Sequence, residues 1–221
     1  MDKWFPNVYW DEMMEATVET LYMTAIATTA TFVFGLLLGL LLFLTSKDNL
    51  WENKPINAVV GAFVNTFRSI PFIILIILLI PFTQLVVGTM LGASAALPAL
   101  IIGAAPFYAR MVEIALREID KGVIEASKAM GAKTSTIIWK VLIPESLPAL
   151  ISGITVTAIA LVGYTAMAGV VGAGGLGTLA FLEGFQRGNS DVTLVATVLI
   201  LLIVFAIQLI GDRVTHRIDK R

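Results

Sequence analysis

The run TLYMTAIATTATFVFGLLLGLLLFLTS, residues 20–46, holds 27 residues without one charged side chain. An α-helix rises 1.5 Å per residue, so about 20 apolar residues cross a hydrocarbon core of roughly 30 Å. This stretch is long enough to span a bilayer once. The same pattern recurs downstream. Residues 69–109 are uncharged for 41 positions, about two crossings, with the turn-like GTMLGAS at 88–94 between them. Residues 146–182 give 37 more, of which 148–170 can span before a glycine-rich stretch begins. Residues 192–211 supply a final 20. The expectation is an all-α, polytopic membrane helical bundle of five transmembrane helices, at about 20–46, 69–87, 95–116, 148–170 and 192–211.

Composition agrees with that solvent. Apolar residues make up 57% of the 221, charged residues 14%, and mean hydropathy is +0.89. Soluble domains carry about 25% charged residues, so this chain lacks the polar surface for a water-exposed fold. A net charge of −1 gives no footing for a nucleic-acid partner. With no cysteine, disulfides and thiolate metal sites are excluded, and the single histidine, His216, sits in a charged tail. Asp2, Asp11, Glu12, Glu15 and Glu19 precede the first apolar run against Lys3 alone, unlike the basic opening of a cleavable signal peptide.

Orientation follows from lysine and arginine. Thirteen fall on the first loop, the 110–145 segment and the C-terminal side, Arg68 and Arg110 included; Lys3 and Arg187 fall on the other. That bias puts the N-terminus outside and the C-terminus in the cytoplasm. It divides the chain into an external interfacial segment (1–16), a transmembrane domain (17–211) with a cytoplasmic loop at 118–147, and a cytoplasmic tail (212–221). Trp4, Phe5, Tyr9 and Trp10 suit a short helix at the headgroup level. Arg68 at mid-membrane would cost about 3 kcal/mol, so it is expected near the cytoplasmic face, with Pro71 just inside the second span. Gly35 and Gly39 form a small-xxx-small pair for close helix packing.

No carboxylate or histidine is expected within a span, which disfavours an ion-coupled carrier. A pore lined by backbone and apolar groups is not excluded on charge. GAGGLG, residues 172–177, spells a dinucleotide fingerprint, but it follows a membrane helix rather than a strand. Its reading is a glycine-permitted turn where the chain leaves the fourth span or re-enters the membrane. A Walker A phosphate loop is absent from the sequence, so no ATP site of that kind is present.

The long loop carries the informative pattern. VIEASKAM, residues 123–130, reads as two helical turns ended by Gly131. Helical spacing puts Val123, Ile124, Ala126, Ser127 and Met130 on one side, with Glu125, Lys128 and Ala129 on the other. A second helix is expected from Thr134 as its cap to about Leu142, stopped by Pro144. Periodicity alone allows either an amphipathic helix tucked against the bundle or a docking element.

The spacing Glu125-Ala126-Ser127, three residues, Gly131, nine residues, then Val141-Leu142-Ile143-Pro144 resembles the EAA loop of binding-protein-dependent ABC importers. Ser127, Val141 and Ile143 are mild departures from that pattern. The resemblance covers residues 17–211 and implies a coupling helix seated in a groove of an ATPase subunit. Glu125, Ala126 and Gly131 would form its core, with Ser127, Lys128, Ala129 and Met130 around them. Residues 67–75 (FRSIPFIIL), 103–107 (GAAPF), 109–113 (ARMVE) and 161–177 are further similar to the methionine importer permeases. By that resemblance the partners are two ATP-binding cassette subunits, a second copy of this chain, an extracytoplasmic solute-binding protein, the small-molecule solute and the lipid bilayer. Cofactors and catalytic residues of its own are not implied. Residue chemistry leaves another amino acid, an osmolyte, an oxyanion or a passive channel open. Met167 lies among Gly163, Ala166, Ala168 and Gly169, where a flexible side chain closes a pore at a dimer axis or simply packs between helices.

Overall fold

The computed structural model describes residues 5–219; Lys3, Trp4, Lys220 and Arg221 lie outside them. Ten helices follow in order: α1 (Trp10–Thr45), α2 (Lys54–Ser69), α3 (Phe72–Leu78), α4 (Ile80–Val87), α5 (Ala93–Arg117), α6 (Lys121–Ala129), α7 (Thr134–Ile137), α8 (Ile143–Val170), α9 (Gly175–Thr178) and α10 (Ser190–Ile218). Two π-helical segments, Ile138–Leu142 and Leu179–Gln186, extend α7 into α8 and lengthen α9. Four helical stretches are long and apolar enough to cross a membrane, or five if the bent pair α2–α3 counts as one span.

The bundle is organised on α1 and α5. Gly35 and Gly39 face the Ala105–Ala109 ridge of α5 so closely that a Cβ on Gly39 would stand 2.5 Å from Val112 Cβ and 2.6 Å from the Ala109 carbonyl oxygen. At Gly35 the same atom would meet Tyr108 Cδ1 at 2.7 Å. The sequence expectation of close packing at this pair holds, and α5 is the partner. Tyr108, fully buried, then donates its hydroxyl to the Leu150 carbonyl of α8 at 3.1 Å. α10 closes on α8 where Gly211 meets Thr155, leaving no room for a side chain.

Several expectations are corrected. The segment ahead of the first span is not a separate interfacial helix: residues 5–9 are non-helical, and Trp10 opens α1 itself. The second span, expected over 69–87, is broken. Ile70 precedes Pro71 and is extended, as the proline ring requires, so α2 and α3 meet at 106°. Pro81 at the start of α4 makes a further break at Leu79. Pro144 does not stop the helix begun at α7. The Ile143 N–H donates five residues back, to Ile138, and this wider π turn accommodates a proline that has no N–H to give. Helix therefore runs on from Thr134 to Val170.

Charge inside the helices is also more abundant than expected. Glu113 of α5, with its side chain 3% exposed, accepts hydrogen bonds from Arg110 and Arg117. Glu19 lies within α1. Arg68, in the last turn of α2, stands beside Phe107 of α5.

The α1–α5 contact is testable by adding one methyl group. Gly39→Ala should destabilise the purified chain by about 1–3 kcal/mol of overpacking, read as a lowered Tm in detergent. Gly61→Ala, whose nearest neighbour would be Leu42 Cδ2 at 3.9 Å inside α2, should leave Tm no lower and, by helix propensity, slightly raised.

Candidate functional site

The Asp120 carboxylate accepts the Gly122 N–H at 2.7 Å and so caps the start of α6. At the other end, Gly131 adopts φ 78°, in the left-handed region. Its N–H donates to Lys128 at 2.9 Å, while the Ala132 N–H donates to Ser127 at 3.1 Å. These two bonds form a Schellman motif, which satisfies carbonyls that a helix end leaves unpaired. The glycine expected from sequence as a helix stop is the C′ residue of that motif. Thr134, in contrast, is already helical, and Lys133 occupies the N-cap position of α7.

Burial divides α6 differently from the sequence reading. Only Ile124 and Ser127 face the bundle. Ile124 joins Ile137, Ile138 and Leu142 in one core with Leu40, Phe43, Leu44, Val112 and Leu116. Val123, Ala126 and Met130, expected on the same side as Ile124, are exposed together with Glu125, Lys128 and Ala129. Met130 is 80% exposed, and Trp139 close by in sequence is 68% exposed. The loop thus presents a mixed apolar and charged surface that this chain leaves uncovered. Above Gly131, an added Cβ would meet nothing within 4 Å.

Met167 lies far along α8 from this loop. The buried side of α8 carries Leu150, Ala158, Leu161, Val162, Thr165 and Ala168. Ser152, Val156, Gly163, Met167 and Val170 are exposed on the opposite side, at helical spacing. Met167 is 46% exposed and does not pack between helices of its own chain.

GAGGLG opens with the expected turn, and its last three residues, Gly175–Gly177, begin α9; its glycines have specific contacts. The Glu19 carboxylate accepts the Gly175 N–H at 2.6 Å, and Thr20 Oγ1 accepts the Leu176 N–H at 2.9 Å. Side chains of α1 therefore cap α9. A Cβ on Gly174 would collide with Glu19, and one on Gly177 with the backbone of Ala166. This use of Glu19 was not foreseen. Its signal was an isolated carboxylate at the edge of a long apolar run.

A family described as the inner membrane component of binding-protein-dependent transport systems matches residues 32–221. The methionine import system permease protein MetP of Bacillus subtilis is 70% identical over 220 residues, covering 100% of this chain and 99% of that protein. A probable D-methionine transport system permease protein, MetI of Pasteurella multocida, is 50% identical over 96% of this chain and 98% of its own. Among solved structures, a chain of the inward-facing MetNI methionine ABC transporter superposes with a TM-score of 0.93 at 47% identity, covering 95% of this chain and 97% of that one. An amino acid ABC transporter crystallised with histidines shares the fold alone, at TM-score 0.77 and 18% identity. The chain belongs to the family of binding-protein-dependent transport system inner membrane components.

Proposed function

We propose that this chain is the membrane permease of an ATP-driven methionine importer, working as a homodimer with two separate ATPase subunits and an external binding protein. The observation that carries the reading is the uncovered face of α6, built on the EAA-like spacing and anchored by Ile124 in the core shared with α1 and α5. Glu125, Ala126, Lys128, Ala129, Met130 and Gly131 are the docking surface for the ATPase; Ser127 is buried toward the bundle, and its hydroxyl donates back to the Val123 carbonyl. The 13:2 bias of basic residues supports placing this loop on the cytoplasmic side and the N-terminus outside. The MetP and MetI relatives support methionine as the solute.

ATP hydrolysis belongs to the partner subunit. Closure of the paired ATPases draws two α6 helices together, and the shared core passes that motion to α1, α5 and α8. The pathway then alternates between outward and inward access. Met167, on the exposed side of α8, closes the path at the dimer axis.

Three outcomes check this reading. Reconstituted with its ATPase and binding protein, the chain should import labelled methionine, and unlabelled methionine should compete; failure to compete removes the substrate assignment. Gly131→Ala should cost about 1–2 kcal/mol from left-handed strain, whereas Gly131→Trp should also abolish ATP-coupled uptake by filling the docking surface. Normal uptake by the tryptophan variant would overturn the placement of the ATPase. Met167→Ala should raise solute leak through liposomes without ATP, and an unchanged leak would remove the gate.

A further inference from the structure

The bend between α2 and α3 encloses a cavity of about 250 Å³ lined by Phe67, Arg68, Phe72, Gly103, Phe107 and Tyr164, among others. Its height is set by α5. Phe107 lies fourteen residues after Ala93 and ten before Arg117, about 21 Å and 15 Å along the axis. The cavity therefore lies beside α5 about one helical turn before the Arg110–Glu113–Arg117 cluster. Phe72 stacks on Tyr164 with ring centroids 4.4 Å apart and planes 2° apart. Gly103 permits this closure, because a Cβ there would press on Phe72 Cδ2 at 3.2 Å.

Arg68 is the one charged group among these lining residues. Its guanidinium stands over the Phe107 ring, 6.0 Å from the centroid. Ion pairs among the described residues use Arg110, Arg117 and Arg187, and Arg68 takes part in none. The C-terminal end of α2 offers it partial negative charge. That dipole does not fill the planar fork of donors a guanidinium presents. Arg68 is exposed at the end of α2 and lines this cavity, and an arginine within a membrane bundle faces a water-filled path or a counter-ion.

The chemistry of the walls selects the ligand. A guanidinium binds a carboxylate through two parallel hydrogen bonds. The surrounding rings suit a short apolar tail, and thioether sulfur makes favourable contacts with aromatic edges. The volume is just below the roughly 300–1,000 Å³ of pockets for larger ligands, which fits a single amino acid. Tyr164 stands three residues before Met167 on α8, so the cavity adjoins the exposed side of that helix.

From this geometry we infer that Arg68 and its aromatic cavity hold the carboxylate of the amino-acid solute in passage, as a binding station within each permease subunit. This deepens the importer reading and rests on it. A lipid phosphate offers the same anionic chemistry, and the competition arms of the test separate the two.

The test uses the assembled permease–ATPase complex in nanodiscs of zwitterionic lipid, without binding protein, irradiated with photo-methionine, a diazirine analogue that keeps the carboxylate. Peptide mapping should place adducts on residues 67–72, Phe107 or Tyr164. Methionine should compete, and methionine amide should not. Arg68→Gln should lower labelling about tenfold or more, the range of a lost charge-assisted hydrogen bond, while Arg68→Lys should retain an intermediate level. Co-elution of the ATPase with each variant checks assembly, and competition on the unmodified complex stands without any variant. Labelling elsewhere, or labelling equally competed by the amide, overturns the inference. Labelling displaced by phosphatidylglycerol but not by methionine reassigns the cavity to a lipid headgroup. A complex that imports methionine yet shows no adduct here overturns this station alone; one with no ATP-driven uptake overturns the importer reading.

Discussion

The approach of α1 to α5 at Gly35 and Gly39 is the constraint on which the rest of the structure depends. Lipid tails are as apolar as leucine, so helices in a bilayer gain little from hiding hydrophobic surface and must gain from close packing. Two glycines four residues apart, facing Ala105 and Ala109, bring the backbones near enough for that packing to count. Tyr108 lies inside the same contact, and its hydroxyl reaches α8, so the position of a third helix follows from the first two. An added methyl group at Gly39 would disturb an arrangement that α8, and through it α10, also uses.

That arrangement extends beyond the long helices. Ile124, Ile137, Ile138 and Leu142 pack with Leu40, Phe43, Val112 and Leu116 as one core. The loop is consequently not a tether hung below the bundle but part of its packed interior. Its outer surface, by contrast, is left open, and its ends are fixed by Asp120 and by the turn at Gly131. A firmly held helix with an uncovered face is the form a docking element requires, because little freedom remains to be lost when a partner covers it.

Much of this was legible as uncharged run lengths. All but Ser46 of residues 20–46, and all of 95–116, 148–170 and 192–211, fall within one long helix each, since the length needed to cross lipid is a property of composition. Breaks in the chain were harder to read. Hydropathy does not register the break at Leu79 before Pro81, so the run at 69–87 looked continuous, nor the 106° bend at Ile70 and Pro71 where α2 meets it. Pro144 misled in the opposite sense, because a π turn absorbs a proline that an α turn would reject. The expectation for Arg68 rests on the cost of an isolated charge in lipid, which says nothing of its neighbours. The fold supplies a cavity and an aromatic ring there, and neither can be read from a linear sequence. Likewise, the outward faces of Val123, Ala126 and Met130 depend on which side of α6 the bundle occupies, whereas Gly131 as a helix stop depends only on local backbone geometry.

The helix that continues through Pro144 has a mechanical consequence. Loop and span are one rod of 37 residues, Thr134–Val170, rather than two pieces joined by a swivel. Met167 lies about 35 Å along it from Pro144 at 1.5 Å per residue. A tilt of roughly 10° about the loop end would therefore sweep Met167 sideways by about 6 Å, more than the width of a methyl group. The rod acts as a lever: small displacements at the loop end arrive enlarged at the far end.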